Sequence, residues 1–264
     1  MEKRRSDHFV SIIIPIYKQE KTIVRNLRHI KTALDNIKYD YEIIAVVDGM
    51  IDNSLKIIKK ANIPKLKTIA YIKNQGKAYA IRLGMSKAKG DYVMFMDSGM
   101  EIHPNGISML LEHMEWYNAD VIVGSKRHAA SQVKYPAARK VLSYGYYYLV
   151  KFMFSIKVKD TQAGIKIFRK KTLETILPRL KERQFAGDLE ILVAADTMGF
   201  TRIYEAPIKL DYHLASVTSA ATLKAIQGII MDTLAIYYRK NFTRHYHKSA
   251  RKVQKKQLKL AKTR

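Results

Sequence analysis

The stretch FMDSGMEIHP, residues 95–104, carries two carboxylates just past an apolar run: Asp97 at its end and Glu101 four positions on. Upstream, the run AVV leads into Asp48 in the same way. Carboxylates at the end of a buried strand suit a hard divalent cation such as Mg2+ or Mn2+, which prefers oxygen ligands. Gly99 stands where a second close acid would complete such a site, and it has no side chain to offer.

The elements that must hold these acids follow from the hydrophobic pattern. FVSIIIP reads as a strand, residues 20–37 as a helix and YEIIAVV as a strand. A short helix over 53–61, a strand at LKTIAYI, a helix over 76–89 and a strand at DYVMFM come next. PNGISMLLEHMEWYN continues as a helix and DVIVGS as a strand. Continuous β-branched runs alternating with helices indicate a parallel sheet covered on both faces. In such a doubly wound α/β sheet, ligands bind beyond the carboxyl ends of the strands, where Asp48, Asp97 and Glu101 fall.

The second half departs from this alternation. RKVLSYGYYYLVKFMFSIK (139–157) and TLKAIQGIIMDTLAIYYRKNF (222–242) read as helices rich in Tyr and Phe with flanking Lys and Arg. That composition favours helices lying in a membrane interface, against the alternative that both pack as core on the sheet. Between them, DTQAGIKIFRK reads as a turn into a strand and FAGDLEILVAADTMGF as a helix. The pattern divides the chain into an α/β domain over 1–220 and an amphipathic helix with a basic tail over 221–264.

The net charge of +25 is unevenly placed: Arg239 to Arg264 holds eleven Lys and Arg and no acid. Such charge seeks anionic lipid head groups, phosphorylated substrates or nucleic acid. Nucleic acid accounts for the charge but not for the strand-end acids. No stretch approaches the roughly 20 apolar residues of a membrane span, and the basic-then-apolar start reads as a buried strand rather than a signal peptide. With no cysteine, neither disulfides nor thiolate metal ligands are available.

Taken in order, SIIIPIYKQEKTI, AVVDGMIDNS, NQGKAYAIRLGMSKAKGDYVMFMDSGMEIHP, VGSKR, YPAARKVLS, DTQAGIKIFRK, FAGDLEIL and IYEAPIKLDYH resemble a glycosyltransferase of family 2, over residues 9–213. Within that family the chain is most similar to the polyprenyl-phosphate (dolichol-phosphate) mannose and glucose synthases. The resemblance implies the GT-A fold and transfer of one hexose from a UDP- or GDP-sugar to a polyprenyl phosphate. It places the reaction on the cytoplasmic face of a membrane, with the protein peripheral or monotopic, and leaves room for a membrane-spanning partner protein.

The resemblance also implies roles. Pro15, Tyr17, Gln19 and Asp48 would hold the nucleoside, joined in the donor site by Lys77 and Ser98. The family has an acid where Gln19 stands and an Asp pair where this chain has Val47 and Asp48. Its Asp-x-Asp falls on Asp97-Ser98-Gly99, and Glu101 falls where relatives carry a further metal ligand, so Asp97 and Glu101 form a shifted site for Mg2+ or Mn2+. Lys126, Arg127 and Arg139 match positions that grip the acceptor phosphate, as guanidinium groups do in pairs. His213 falls, with a poor match, on a further basic position, and Asp160, Gln162 and Lys166 match the turn lining the site. Asp188 is the candidate base if the acceptor is a hydroxyl. A phosphate acceptor is already ionised near neutral pH, and Asp188 then only positions its neighbours. Two alternatives stay open: a hydroxyl acceptor on a glycolipid or surface polysaccharide, and a degenerate, non-catalytic membrane-associated homologue.

Overall fold

The structure, a computed structural model, describes residues 6–133, 137–210 and 223–247. Strand β1 (Phe9–Ile16) leads to helix α1 (Ile23–Asp35), β2 (Asp40–Asp48), α2 (Ser54–Lys60), β3 (Leu66–Tyr71), α3 (Lys77–Lys87) and β4 (Tyr92–Met96). Helix α4 (Gly106–Trp116), β5 (Val121–Ser125), α5 (Ala137–Phe154), β6 (Ile165–Arg169) and α6 (Lys170–Ile176) follow. The last elements are α7 (Gly187–Thr197), β7 (Ile203–Pro207) and α8 (Leu223–Asn241).

The seven strands form one sheet in the order β3-β2-β1-β4-β6-β5-β7. All pairings are parallel except those of β6, which runs antiparallel to both β4 and β5. Period-two alternation sends Ile12, Ile14 and Ile16 of β1 into one core with α1, α2 and α4. Ile13 points the other way, toward α3, α5, α6, α7 and α8. Each such isoleucine, fully buried, contributes roughly 1.5–3 kcal/mol of transfer free energy.

This topology gathers the chemistry at one edge. The carboxyl ends of β1, β2, β4 and β5 release Tyr17, Asp48, Asp97 and Lys126 on the same side. Because β6 is reversed, its start lies there too: Met96 pairs with Ile165, and the Asp97 N–H donates to the Gly164 carbonyl at 2.8 Å.

The two aromatic helices are divided between core and surface. Val150 and Phe154 of α5 and Ile236 of α8 belong to the core beneath the sheet. Outward, Tyr144, Tyr148 and Phe152 repeat every four residues on α5, and Ile230, Leu234, Tyr238 and Phe242 do so on and just beyond α8. One face of each helix thus packs as core, the alternative reading, while an apolar stripe lies on the other. Among the described residues no helix is long and apolar enough to cross a membrane.

Helix α8 is fastened at its far end. Arg239 pairs with Glu182, and the Tyr246 hydroxyl donates to buried Glu190 at 2.7 Å. Glu190 also accepts the backbone N–H groups of Lys181 at 2.9 Å and Glu182 at 2.8 Å. It is thereby committed to holding the segment before α7 and the chain after α8 together.

Candidate active site

Asp48, at the end of β2, organises the loop that delivers Lys77. Its carboxylate accepts from the Tyr71 hydroxyl (2.8 Å), the Asn74 amide (2.9 Å), and the backbone N–H groups of Gln75 (2.7 Å) and Gly76 (3.0 Å). Both Asp48 oxygens are thus engaged by the protein's own donors. Gly76 has φ +100°, and a Cβ there would fall 2.2 Å from the Arg183 carbonyl. That carbonyl also accepts the Ala78 N–H at 3.0 Å. The start of α3 is clamped from both sides, and Lys77 is its first residue.

Lys77 Nζ lies 2.7 Å from Asp97 Oδ1, 2.9 Å from Asp97 Oδ2 and 3.5 Å from Asp188 Oδ2. Lys166, fully buried within β6, places its Nζ 2.5 Å from Asp188 Oδ1 and 2.7 Å from the Ala163 carbonyl. Two lysines and two carboxylates alternate in one chain: Asp97, Lys77, Asp188, Lys166. Burial alone would lower the Lys77 pKa, but Asp97 and Asp188 outweigh it and hold the ammonium above the usual lysine range. Burial would likewise raise Asp188; Lys166 and Lys77 reverse this and keep its carboxyl below the usual range. For Lys166 burial dominates and draws its pKa down.

Asp97 is pressed against the start of β6. A Cβ on Gly164 would meet Asp97 Oδ2 at 2.2 Å, so only glycine lets the carboxylate lie there. At Gly99 the situation is opposite: an added Cβ would meet nothing within 4 Å. Ser98 is buried, and its carbonyl accepts from Asn26 of α1 at 2.8 Å, which fixes the turn. Glu101 follows on the same segment, half-buried.

A divalent ion at this strand end has Asp97 and Glu101 as its candidate ligands. Among the described residues no three His, Asp or Glu side chains converge to hold a metal, and both Asp97 oxygens already face the Lys77 ammonium. With two carboxylates alone, an ion here would take its remaining ligands from substrate oxygens and water, and no step below is routed through one.

Beyond β1, Tyr17 is exposed, and the buried Gln19 Oε1 has no hydrogen-bond partner among the described residues. On the opposite side, the Lys126 N–H donates to Asp160 at 2.9 Å, with its ammonium 3.9 Å from the same carboxylate. The Arg127 guanidinium lies over Tyr144 and Tyr147 of α5, 4.6 and 4.8 Å from the ring centroids. Its Nη2 donates to the carbonyl and hydroxyl of Ser143, both at 2.6 Å, while its buried Nη1 has no acceptor among the described residues. A stacked guanidinium with one spare donor is built to meet an anion.

Gln162 donates to the Tyr146 hydroxyl at 3.4 Å, which bonds Thr233 of α8 at 3.0 Å. Burial pushes the Tyr146 phenol up to about 12, so it remains a protonated partner. The side chain of Arg139 and all of His213 lie outside the described residues.

The structure brings Lys77, Asp97, Lys166 and Asp188 into one cluster. The Tyr144–Tyr147 cradle for Arg127 and the glycine beneath Asp97 are additions that the motifs did not single out. Their signal was in view, since YGYYY directly follows one quoted motif and AGIK lies within another, but nothing in either names its partner.

Residues 11–177 match the family described as Glycosyl transferase family 2, and the chain belongs to it. It is similar to the dolichyl-phosphate beta-glucosyltransferase of Saccharomyces cerevisiae, 31% identical over 71% of this chain and 62% of the relative. The corresponding enzyme of Homo sapiens is 27% identical over 70% and 62%. The chain thus spans somewhat less than two thirds of the length of these relatives. Among solved structures, glucosyl-3-phosphoglycerate synthase of Mycobacterium tuberculosis, in complex with Mn2+, UDP and phosphoglyceric acid, superposes with a TM-score of 0.68. That likeness covers 88% of this chain and 79% of the synthase at 14% identity, and it shows the GT-A fold.

Proposed function

We propose that this protein transfers a single hexose from a UDP- or GDP-sugar to a polyprenyl or dolichyl phosphate. Support comes from the family, from relatives named as dolichyl-phosphate glucosyltransferases, and from a site that is basic on both flanks. Mn2+ with UDP in the structural neighbour marks the kind of donor that the fold accommodates.

One observation carries the choice of acceptor. Asp188, the carboxylate that a hydroxyl acceptor would need as base, is buried, charged and bound by two lysines. Such a carboxylate is a poor proton acceptor. A phosphate acceptor needs none. One of its oxygens forms a bond to the anomeric carbon from the face opposite the nucleotide. The bond from that carbon to the diphosphate breaks, its electron pair leaves with the nucleoside diphosphate, and the anomeric configuration inverts.

Arg127, with Lys126 and Arg139, positions the acceptor phosphate, and Lys77 faces the donor diphosphate. Pro15, Tyr17 and Gln19 border the nucleoside. Holding two anions that otherwise repel is most of the catalysis. We assign the apolar stripes of α5 and α8, with Lys151, Lys240 and the basic residues after α8, to an anionic membrane surface at its cytoplasmic face. Residues 221–264 then form the membrane-facing appendage of a catalytic domain over 1–220. A separate membrane-spanning partner fits beside this arrangement.

The test is the pH dependence of kcat/KM for the lipid phosphate in wild type and Asp188→Asn. A carboxyl whose folded pKa is depressed contributes stability above its unfolded value, about 3.9, and loses it only as pH falls further. Asp188 therefore does not titrate near pH 6. The acid limb should follow the acceptor's second ionisation, about 6, and Asp188→Asn should lower the rate about tenfold or less without moving that limb. A limb that shifts or vanishes in Asp188→Asn, with near-total loss of turnover, would favour the hydroxyl acceptor.

A further inference from the structure

A nucleoside diphosphate leaves with negative charge that the site must meet at the end of β4. The second acid position there, Gly99, has no side chain, and the space around it is open rather than taken by another ligand. What stands against Asp97 is a cation of the protein itself. Lys77 Nζ is within 2.9 Å of both carboxylate oxygens of Asp97 and 3.5 Å from Asp188.

Lys77 is not a loose surface lysine. Its backbone begins α3 directly after Gly76, whose N–H is held by Asp48 at 3.0 Å. The next residue, Ala78, is tied to the Arg183 carbonyl at 3.0 Å, and the Gly187 at the start of α7 packs against the Ala78 side chain. About a quarter of the Lys77 side chain remains exposed (27%). The second lysine, Lys166, balances Asp188 from below, which leaves the Lys77 charge to Asp97 and to whatever binds above it. An ammonium in a partly desolvated site is a strong partner for phosphate oxygens.

We propose that the Lys77 ammonium, oriented by Asp97 and Asp188, is the resident cation of the donor site, and that nucleoside diphosphate binding here does not require a divalent metal. Lys77 offers the diphosphate an ammonium partner, Asp97 holds that ammonium in place, and Gly99 leaves room for the diphosphate where a metal-ligating carboxylate would intrude. This inference rests on the sugar-nucleotide reading.

Titration calorimetry of the full chain with UDP and with GDP, each in EDTA and in Mn2+, tests it. Binding of one nucleotide should change less than about twofold between EDTA and Mn2+. Lys77→Met should weaken binding about 30-fold or more, as truncation of one member of a close charge pair does. Lys77→Arg, which keeps the charge but not the point geometry, should retain part of the affinity.

Gly99→Asp supplies an independent arm. The added carboxylate should create a Mn2+ site, read as a loss of the free-ion electron paramagnetic resonance signal beyond that caused by UDP or GDP alone. Wild type should cause no such further loss.

Binding by wild type only in Mn2+, with stoichiometric loss of the free-ion signal, overturns the inference and leaves the glycosyltransferase reading standing. Failure of either nucleotide to bind under both conditions overturns the sugar-nucleotide reading, and the inference falls with it. If Lys77→Met melts far below wild type, the EDTA comparison and Gly99→Asp decide.

Discussion

Arg127→Ala is expected to lower kcat/KM for the lipid phosphate about 100-fold or more, with the KM for the sugar nucleotide nearly unchanged. The guanidinium is held from three sides, by Ser143 through Nη2 and by the rings of Tyr144 and Tyr147, and its Nη1 is buried with no acceptor among the described residues. A buried, unpaired donor costs about 1–3 kcal/mol, a cost that an arriving phosphate oxygen removes. Truncating one member of such a pair costs about 2–5 kcal/mol. Arg127→Lys should recover only part of the loss, because an ammonium neither stacks on both rings nor offers a planar fork. Steady-state kinetics with each substrate varied in turn distinguishes this from general damage. An equal rise in both KM values, or no change in either, would remove Arg127 from the acceptor site.

Lys166→Met should produce the largest loss of stability, about 3–5 kcal/mol, which for a domain of this size lowers Tm by roughly 10 °C. Lys166 is fully buried, and its ammonium sits 2.5 Å from Asp188 and 5.0 Å from the centre of the Phe95 ring. Removing it leaves a buried Asp188 carboxylate with only the longer contact to Lys77. Pairing Lys166→Met with Asp188→Asn removes both charges and should recover most of the lost stability, since a buried ion pair replaced as a unit is often nearly neutral. Thermal melts of the two single variants and the double variant form the cycle. Additive losses would show that the two groups do not act as a pair.

The alternation of strands and helices up to β5 was legible because buried parallel strands are continuous apolar runs with turn signals between them. IKIFR of β6 reads as a strand on the same grounds, but a run that is buried on both sides carries no mark of direction. Its antiparallel placement comes from the tertiary fold. β7 and α6 were not legible: IYEAP is short and partly exposed at the sheet edge, and KKTLETI directly follows a strand.

The strand-end acids were legible from position alone, because topology puts strand ends on one side. The pairing of Lys77 with Asp97, 20 residues away, was not. NQGKAYA reads equally well as a solvated turn, and only the clamp by Asp48 and Arg183 turns Lys77 inward. Glu190 illustrates the converse. It lies two residues from Asp188 in FAGDLEIL and carries the same carboxylate, yet one turns to the site and the other to Tyr246.

The most direct measurement is transfer itself. The full chain is incubated with vesicles containing anionic phospholipid and either dolichyl phosphate or dolichol. UDP-glucose and GDP-mannose are supplied separately, and the lipid products are resolved by mass spectrometry. The predicted result is one hexose added to dolichyl phosphate from one of the two donors, with inverted anomeric configuration, and nothing added to dolichol. Sugar on dolichol with dolichyl phosphate left unmodified, or no product from either donor, would contradict the account.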